Sequence, residues 1–165
     1  FYQILVVLGV HSVIVLPALM DVMAGTPSPN YASLGVVSFA VLGVTLGILC
    51  KTKSKKLKEL ALPAAVSALF GVTEPATYAI VMPRMKYLVE TCVSSAIACG
   101  VGGLFGFAVY TIPGFGIFKI PGYIDPANPV QSLIVASGVM LLATALGFII
   151  TYVMFNDAQY GDDKE

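Results

Sequence analysis

Two side chains in this 165-residue sequence carry chemistry into surroundings that do not favour it. Glu74 lies in FGVTEPATY, residues 70–78, and His11 lies in GVH, residues 9–11. A carboxylate accepts hydrogen bonds and can take a proton, while an imidazole can donate, accept or relay one near neutral pH. Both are flanked by apolar runs, and Glu74 is about a dozen residues from the nearest lysine. A charge at the centre of a bilayer costs roughly 2.5–3.5 kcal/mol on insertion scales. Helix capping explains the order of TEP, with Thr73 capping a helix whose first turn holds Glu74 and Pro75, where an acid complements the dipole and a proline loses no hydrogen bond. A cap returns only about 1 kcal/mol, and Ser or Asn would supply it without an acid. The balance points to Glu74 as a functional acid at a ligand. His11, the one histidine of the sequence, is by itself as readily a packed core residue as a ligand-binding one.

The remaining reactive residues promise less. Cys50, Cys92 and Cys99 lie in or beside apolar runs with neither a CxxC pair nor metal-ligand spacing, so buried thiols are expected, with no disulfide framework, metal site or cofactor. Glu90, close to Arg84 and Lys86, reads as a surface or snorkelling charge at the start of its helix.

The elements that must position these residues follow from composition. The chain is 58% hydrophobic and 11% charged, with a mean hydropathy of +0.90, which leaves too little polar surface to cover a water-soluble globule. It reads as an all-α integral membrane protein. A formal net charge of zero, with five lysines clustered in residues 51–58 and three acids in the last four positions, argues against a nucleic-acid partner. The sequence begins with Phe and enters an apolar run at once, without the leader of a signal peptide, so it is expected to be a fragment.

Four stretches have the length and apolarity for transmembrane helices, residues 1–20, 31–50, 87–112 and 130–155. A Gly/Pro/Ser/Asn-rich loop separates the first two, and four prolines with three glycines keep residues 113–129 from forming a regular helix. Residues 60–82 are long enough for a span, but Gly71 and Pro75 divide them into two short helices. Such a pair can cross as one broken helix or enter and leave on one side as a re-entrant hairpin. Both flanks, KTKSKKLKE and PRMK, are basic, which favours a hairpin with both ends cytoplasmic. The 113–129 loop would then be external and the C-terminal tail cytoplasmic. Non-helical backbone at membrane depth is tolerated where it lines a cavity or is buried in protein, so the break implies a cavity.

The run LKELALPAAVSALFGVTEPATY resembles the signature of the membrane-embedded IIC domain of sugar phosphotransferase systems, in the glucose–glucoside superfamily. The lysine-rich lead-in, the SALFG step and the TEPAxY core occur in the family's order, and the form ending in Tyr is most similar to the β-glucoside, sucrose and trehalose branch. The similarity extends from about Val10 through the last span. It implies that residues 1–155 are the C-terminal part of a IIC transport domain of a multi-pass bacterial plasma-membrane protein. Residues 156–165 would be a cytoplasmic linker. It further implies that Glu74, with Thr73 beside it, binds sugar hydroxyls near the one to be phosphorylated, and that His11, matching a GxH motif, shares the site; both are candidate catalytic residues. The departures are Ser12, where many relatives have Trp, together with Thr77 and Ala79.

The implied partners are a sugar, the lipid bilayer, a phosphorylated IIB domain that supplies the phosphoryl group, and a second copy of the full-length protein in a homodimer. Residues 51–58 would be a topogenic loop attractive to anionic lipid and a docking surface for the carrier domain. An ion-coupled secondary transporter with Glu74 as the proton or cation site is the competing class, and a non-catalytic scaffold with TEP as a cap is the third.

Overall fold

In the computed structural model, residues 2–112 and 114–155 are described. The linker expected at 156–165 lies outside them. The described residues are helical, with one isolated antiparallel bridge between Ser28 and Val109 and no strand. The helices are α1 (Tyr2–Val7), α2 (Ser12–Met23), α3 (Pro29–Lys51), α4 (Lys55–Leu69), the short α5 (Glu74–Ala76) running into a π-helical turn (Thr77–Val81), α6 (Met85–Leu104) and α7 (Pro129–Met154). A 3-10 segment, Gly116–Tyr123, lies within the proline-rich loop.

Among the described residues three helices are long and apolar enough to cross a membrane: α3, α6 and α7. The fourth expected span, residues 1–20, is not one helix. Gly9 adopts φ +74°, and the bonds Val10 N to Leu5 O and Gly9 N to Val6 O, both 3.0 Å, close α1 with a left-handed glycine. α2 then starts afresh and runs for 12 residues. A continuous apolar run hides such a break, because hydropathy does not register backbone conformation.

α3 is the hub, with Val36, Ala40, Val41, Val44 and Ile48 fully buried. It runs parallel to α7, and the two backbones touch. A Cβ at Gly43 would fall on the carbonyl of Thr144, and one at Gly147 would lie 2.7 Å from Ala40 O. With lipid as solvent there is little hydrophobic drive between helices, so close approach through small residues supplies the packing. Val130, Ile134, Leu141 and Val153 point outward from α7, as a lipid-facing surface requires.

One end of this core is pinned by two lysines. The Lys51 ammonium donates to Tyr152 O at 2.5 Å and lies 4.8 Å from the Tyr152 ring centroid, and Lys86 donates to Met154 O at 3.3 Å. These are last-turn carbonyls of α7 that lack partners within the helix. The chain from Lys51 to Lys86 therefore leaves this end of the molecule and returns to it. At the opposite end the Ser28–Val109 bridge ties the start of α3 to the chain beyond α6.

Glu90 differs from the surface charge expected. It is 4% exposed on the face of α6 that meets α7, where its Oε2 accepts a 2.7 Å hydrogen bond from Thr151 Oγ1. The polar partner lies 61 positions away in sequence, so local charge pattern could not reveal it.

Candidate functional site

The site is assembled around two glycine-terminated helix ends. At the first, the break at Gly9 sets His11 immediately ahead of α2. At the second, α4 closes with Gly71 at φ +90°, where Val72 N bonds Ser67 O and Gly71 N bonds Ala68 O, both at 3.0 Å. Ser67 Oγ also donates to Val72 O at 2.9 Å. The chain turns, and Thr73 and Glu74 follow. The two breaks thus deliver the two motifs, GVH and TEP, to the same place.

His11, Thr73 and Glu74 line one cavity of about 210 Å3, together with Tyr2, Tyr31, Gly71, Gly116 and Lys119. Sequence reasoning paired His11 with Glu74 by resemblance, and the fold brings both to this chamber. His11 is half-buried, its ring edge-on to Tyr2 at a centroid distance of 6.2 Å. Its Nδ1 is buried and finds no hydrogen-bond partner among the described residues. A buried polar atom without a partner carries a desolvation penalty of about 1–3 kcal/mol, which a ligand hydroxyl would relieve. The Glu74 side chain is exposed, open both to this chamber and to an apolar groove along Leu60, Pro63, Ala64 and Tyr78.

Thr73 does not cap as expected. Its backbone is already helical, φ −89° and ψ −13°, and its side chain makes no capping bond. A cap hydroxyl needs extended backbone to reach over the first turn. Instead Thr73 contributes its carbonyl, which accepts from Thr77 N at 2.8 Å, and its half-buried side chain faces the cavity.

Behind Glu74 the helix widens. Met82 N bonds Thr77 O at 2.7 Å, five residues back, which defines the π-turn. Such turns concentrate at functional sites because they rotate side chains out of α-helical register. Thr77, one of the sequence departures, is fully buried and its Oγ1 accepts a 2.7 Å hydrogen bond from Gln3 Nε2. That bond ties α1, and hence the GVH break, to the segment carrying Glu74.

Lys119 is the residue the sequence reading passed over. It comes from the 3-10 segment, is 6% exposed, donates to Tyr31 O at 2.9 Å and places Nζ 4.1 Å from the Tyr31 ring centroid. Burial pushes its ammonium down to about 8. Its signal was available: it is the one lysine of a loop otherwise rich in Gly, Pro, Phe and Ile. Among the described residues no group of three or more His, Cys, Asp or Glu is placed to hold a metal ion.

An all-helical membrane protein with a polar chamber built at interrupted helices is the class these features define. Residues 1–96 match the family described as Phosphotransferase system, EIIC, and the chain belongs to that family of membrane sugar permeases. It is 33% identical over 128 residues to the PTS system beta-glucoside-specific EIIBCA component of Halalkalibacterium halodurans, covering 78% of this chain and 20% of that protein. It is 31% identical over 156 residues to the arbutin-, cellobiose-, and salicin-specific EIIBC component of Escherichia coli K12, covering 93% of this chain and 32% of that protein. A sucrose-specific EIIBCA component of Pediococcus pentosaceus is 28% identical over 176 residues, 99% of this chain and 25% of that protein. The chain thus spans about a fifth to a third of the length of these relatives. No solved structure matches it.

Proposed function

We propose that this chain is the sugar-binding and translocating part of a phosphoenolpyruvate-dependent phosphotransferase permease, importing a glucoside or disaccharide coupled to its phosphorylation. The observation that carries this reading is the convergence of His11, Thr73 and Glu74 on one cavity, with a buried, unpartnered His11 Nδ1. A sugar presents hydroxyls that both donate and accept. Glu74 accepts from one, His11 exchanges a hydrogen bond with another, and Thr73 adds a second hydroxyl contact.

In the reaction, a partner B domain offers a phosphocysteine. The sugar hydroxyl oxygen attacks phosphorus, a P–O bond forms as the P–S bond breaks, sulfur leaves as thiolate, and the hydroxyl proton passes to Glu74 or His11. Such transfers gain most from placement and electrostatics, which fixed groups beside the hydroxyl provide. Curated relatives are named as EIIBC or EIIBCA components, which supports a B-domain partner, fused or separate.

Residues 60–82 form a re-entrant hairpin with both ends cytoplasmic. The reading is supported by the basic flanks and by Lys51 and Lys86 meeting the same end of α7. α3 and α7 then run inward and α6 outward, and the tail is cytoplasmic.

The test is Glu74→Gln in the complete protein, assayed in membranes for sugar affinity and for phosphoenolpyruvate-dependent phosphorylation. The amide keeps shape and loses charge. Affinity falls modestly and phosphorylation falls much further, because an interaction that grows in the transition state acts on turnover more than on ground-state binding. His11→Ala weakens binding, and the double variant loses less than the sum of the two. Wild-type phosphorylation in Glu74→Gln would refute the catalytic role. Uncoupler-sensitive, phosphate-independent uptake by the wild type would indicate the ion-coupled class.

A further inference from the structure

The geometry points to Lys119 as a specificity-determining residue that selects the sugar, donating a hydrogen bond to a ligand oxygen from the wall formed by the 3-10 segment Gly116–Tyr123 while Glu74 accepts from another hydroxyl. This inference rests on the reading of the cavity as a sugar site and adds a residue and a specificity rule to it.

Three observations carry it. First, Lys119 is a buried cation whose side chain reaches the chamber lined by His11 and Glu74. Buried lysines are costly and are retained where their donors are used. An ammonium has three N–H donors and no acceptor. One is taken by Tyr31 O, and the face of the Tyr31 ring supports the charge from the side. Donor capacity remains for the cavity.

Second, the approach is built for this side chain. A Cβ at Gly35 would lie 3.0 Å from Lys119 Cδ and would fall on the hydroxyl of Tyr123. Tyr123 in turn donates to Ala32 O at 3.0 Å. Gly35 therefore clears a slot across α3 through which the lysine reaches Tyr31, and any larger residue would push it out.

Third, the loop that bears it is fixed against the break that bears Glu74, because Gly116 packs backbone to backbone on Leu69, Phe70 and Gly71. Donor-only and acceptor-only groups are thus held on different walls of one chamber. A neutral polyol satisfies both at once only in particular orientations. The hydroxyl at Glu74 is then chosen by which oxygen lies at Lys119.

The test uses the complete protein in membrane vesicles with salicin, sucrose and trehalose as probes, and methyl β-D-glucopyranoside with its mono-deoxy analogues for mapping. Reductive methylation with formaldehyde and borohydride, read by mass spectrometry, reports the wild-type lysine directly. At about ten times the dissociation constant, the bound sugar slows modification of Lys119 about tenfold and leaves Lys55 unchanged. Lys119→Met weakens the parent glucoside about ten- to a hundredfold. One deoxy analogue binds wild type poorly yet loses nothing further in Lys119→Met, which identifies the oxygen contacted. Uniform losses for every analogue, or equal modification with and without bound sugar, overturn the inference while leaving the sugar site standing. So does a Lys119 that the reagent never reaches in the empty protein. If none of the probes binds wild type, the cavity reading fails and this inference with it. The protection readout needs no variant, so misfolding of Lys119→Met does not remove the test.

Discussion

Gly71 and Gly116 meet backbone to backbone, with a Cβ at Gly71 falling on the amide nitrogen of Gly116 and a Cβ at Gly116 falling on the carbonyl of Leu69. Both have positive φ, +90° and +54°. Beside them the rings of Phe70 and Phe118 stack at a centroid distance of 6.0 Å. The tip of the segment carrying Glu74 is therefore seated on the loop carrying Lys119. Gly71→Ala both strains the turn and separates the two walls. The expected result is a loss of sugar affinity of about five- to a hundredfold, as strain of the order of 1–3 kcal/mol is relieved by moving the two walls out of the binding geometry. Gly138→Ala, at a position with open space around it, leaves affinity unchanged. Equilibrium binding to both variants checks this, and unaltered affinity in Gly71→Ala would show that the contact does not hold the site.

The proposed hairpin predicts labelling. Cysteines replacing Lys55 and Lys86 in intact cells are both shielded from an impermeant maleimide added outside, and a tag inserted after Asn128 is reached by it. Labelling of one lysine position alone would mean that the segment crosses the membrane, and a shielded tag would invert the topology.

Glu90 and Thr151 should be coupled in stability. Thr151→Val removes the hydroxyl and strands a buried carboxyl group, at a cost of about 1–3 kcal/mol. In a Glu90→Leu background the same substitution costs less, since the group it would strand is gone. Thermal unfolding of the four proteins in detergent measures the difference. Equal costs in both backgrounds would mean that the 2.7 Å contact contributes nothing net.

Sugar binding should weaken in alkali. Lys119 is pushed down to about 8 by burial. The titratable groups around it are Tyr31 from α3, Tyr123 from its own 3-10 segment, whose hydroxyl meets it at Gly35, and, across the chamber, Tyr2, His11 and Glu74. If a sugar oxygen accepts from the ammonium, the bound state favours the charged form and its value lies above that of the empty site. Affinity is then full below about 8 and declines as pH rises through it toward the bound-state value. Titration calorimetry from roughly pH 7.5 to 9.5 should follow this decline in the wild type and a flat profile in Lys119→Met. A flat wild-type profile would count against the charged donor.

Much of this architecture was legible from residue order. The runs that became α3, α6 and α7 are apolar for long enough to declare themselves, and Gly71 with Pro75 marked the interruption before Glu74. What escaped depends on partners far along the chain. Glu90 is buried where Thr151 faces it, and Lys119 is buried at the cavity wall because Gly35 and Tyr31 admit it. The division of residues 1–20 rests on one backbone angle at Gly9, which an apolar profile does not encode. Thr73 has the right side chain for a cap in the wrong backbone conformation.

The two lysines at the end of α7 bear on assembly as well as architecture. α7 is synthesised after Lys51 and Lys86, yet two carbonyls of its final turn, those of Tyr152 and Met154, are satisfied by them. Chains emerge from the ribosome N-terminus first, so in the proposed topology those ammonium groups are at the cytoplasmic surface before the later helix arrives. An earlier segment inserted the wrong way round would leave α7 without its closing contacts. In that order of synthesis, the last span closes onto donors supplied by segments made before it.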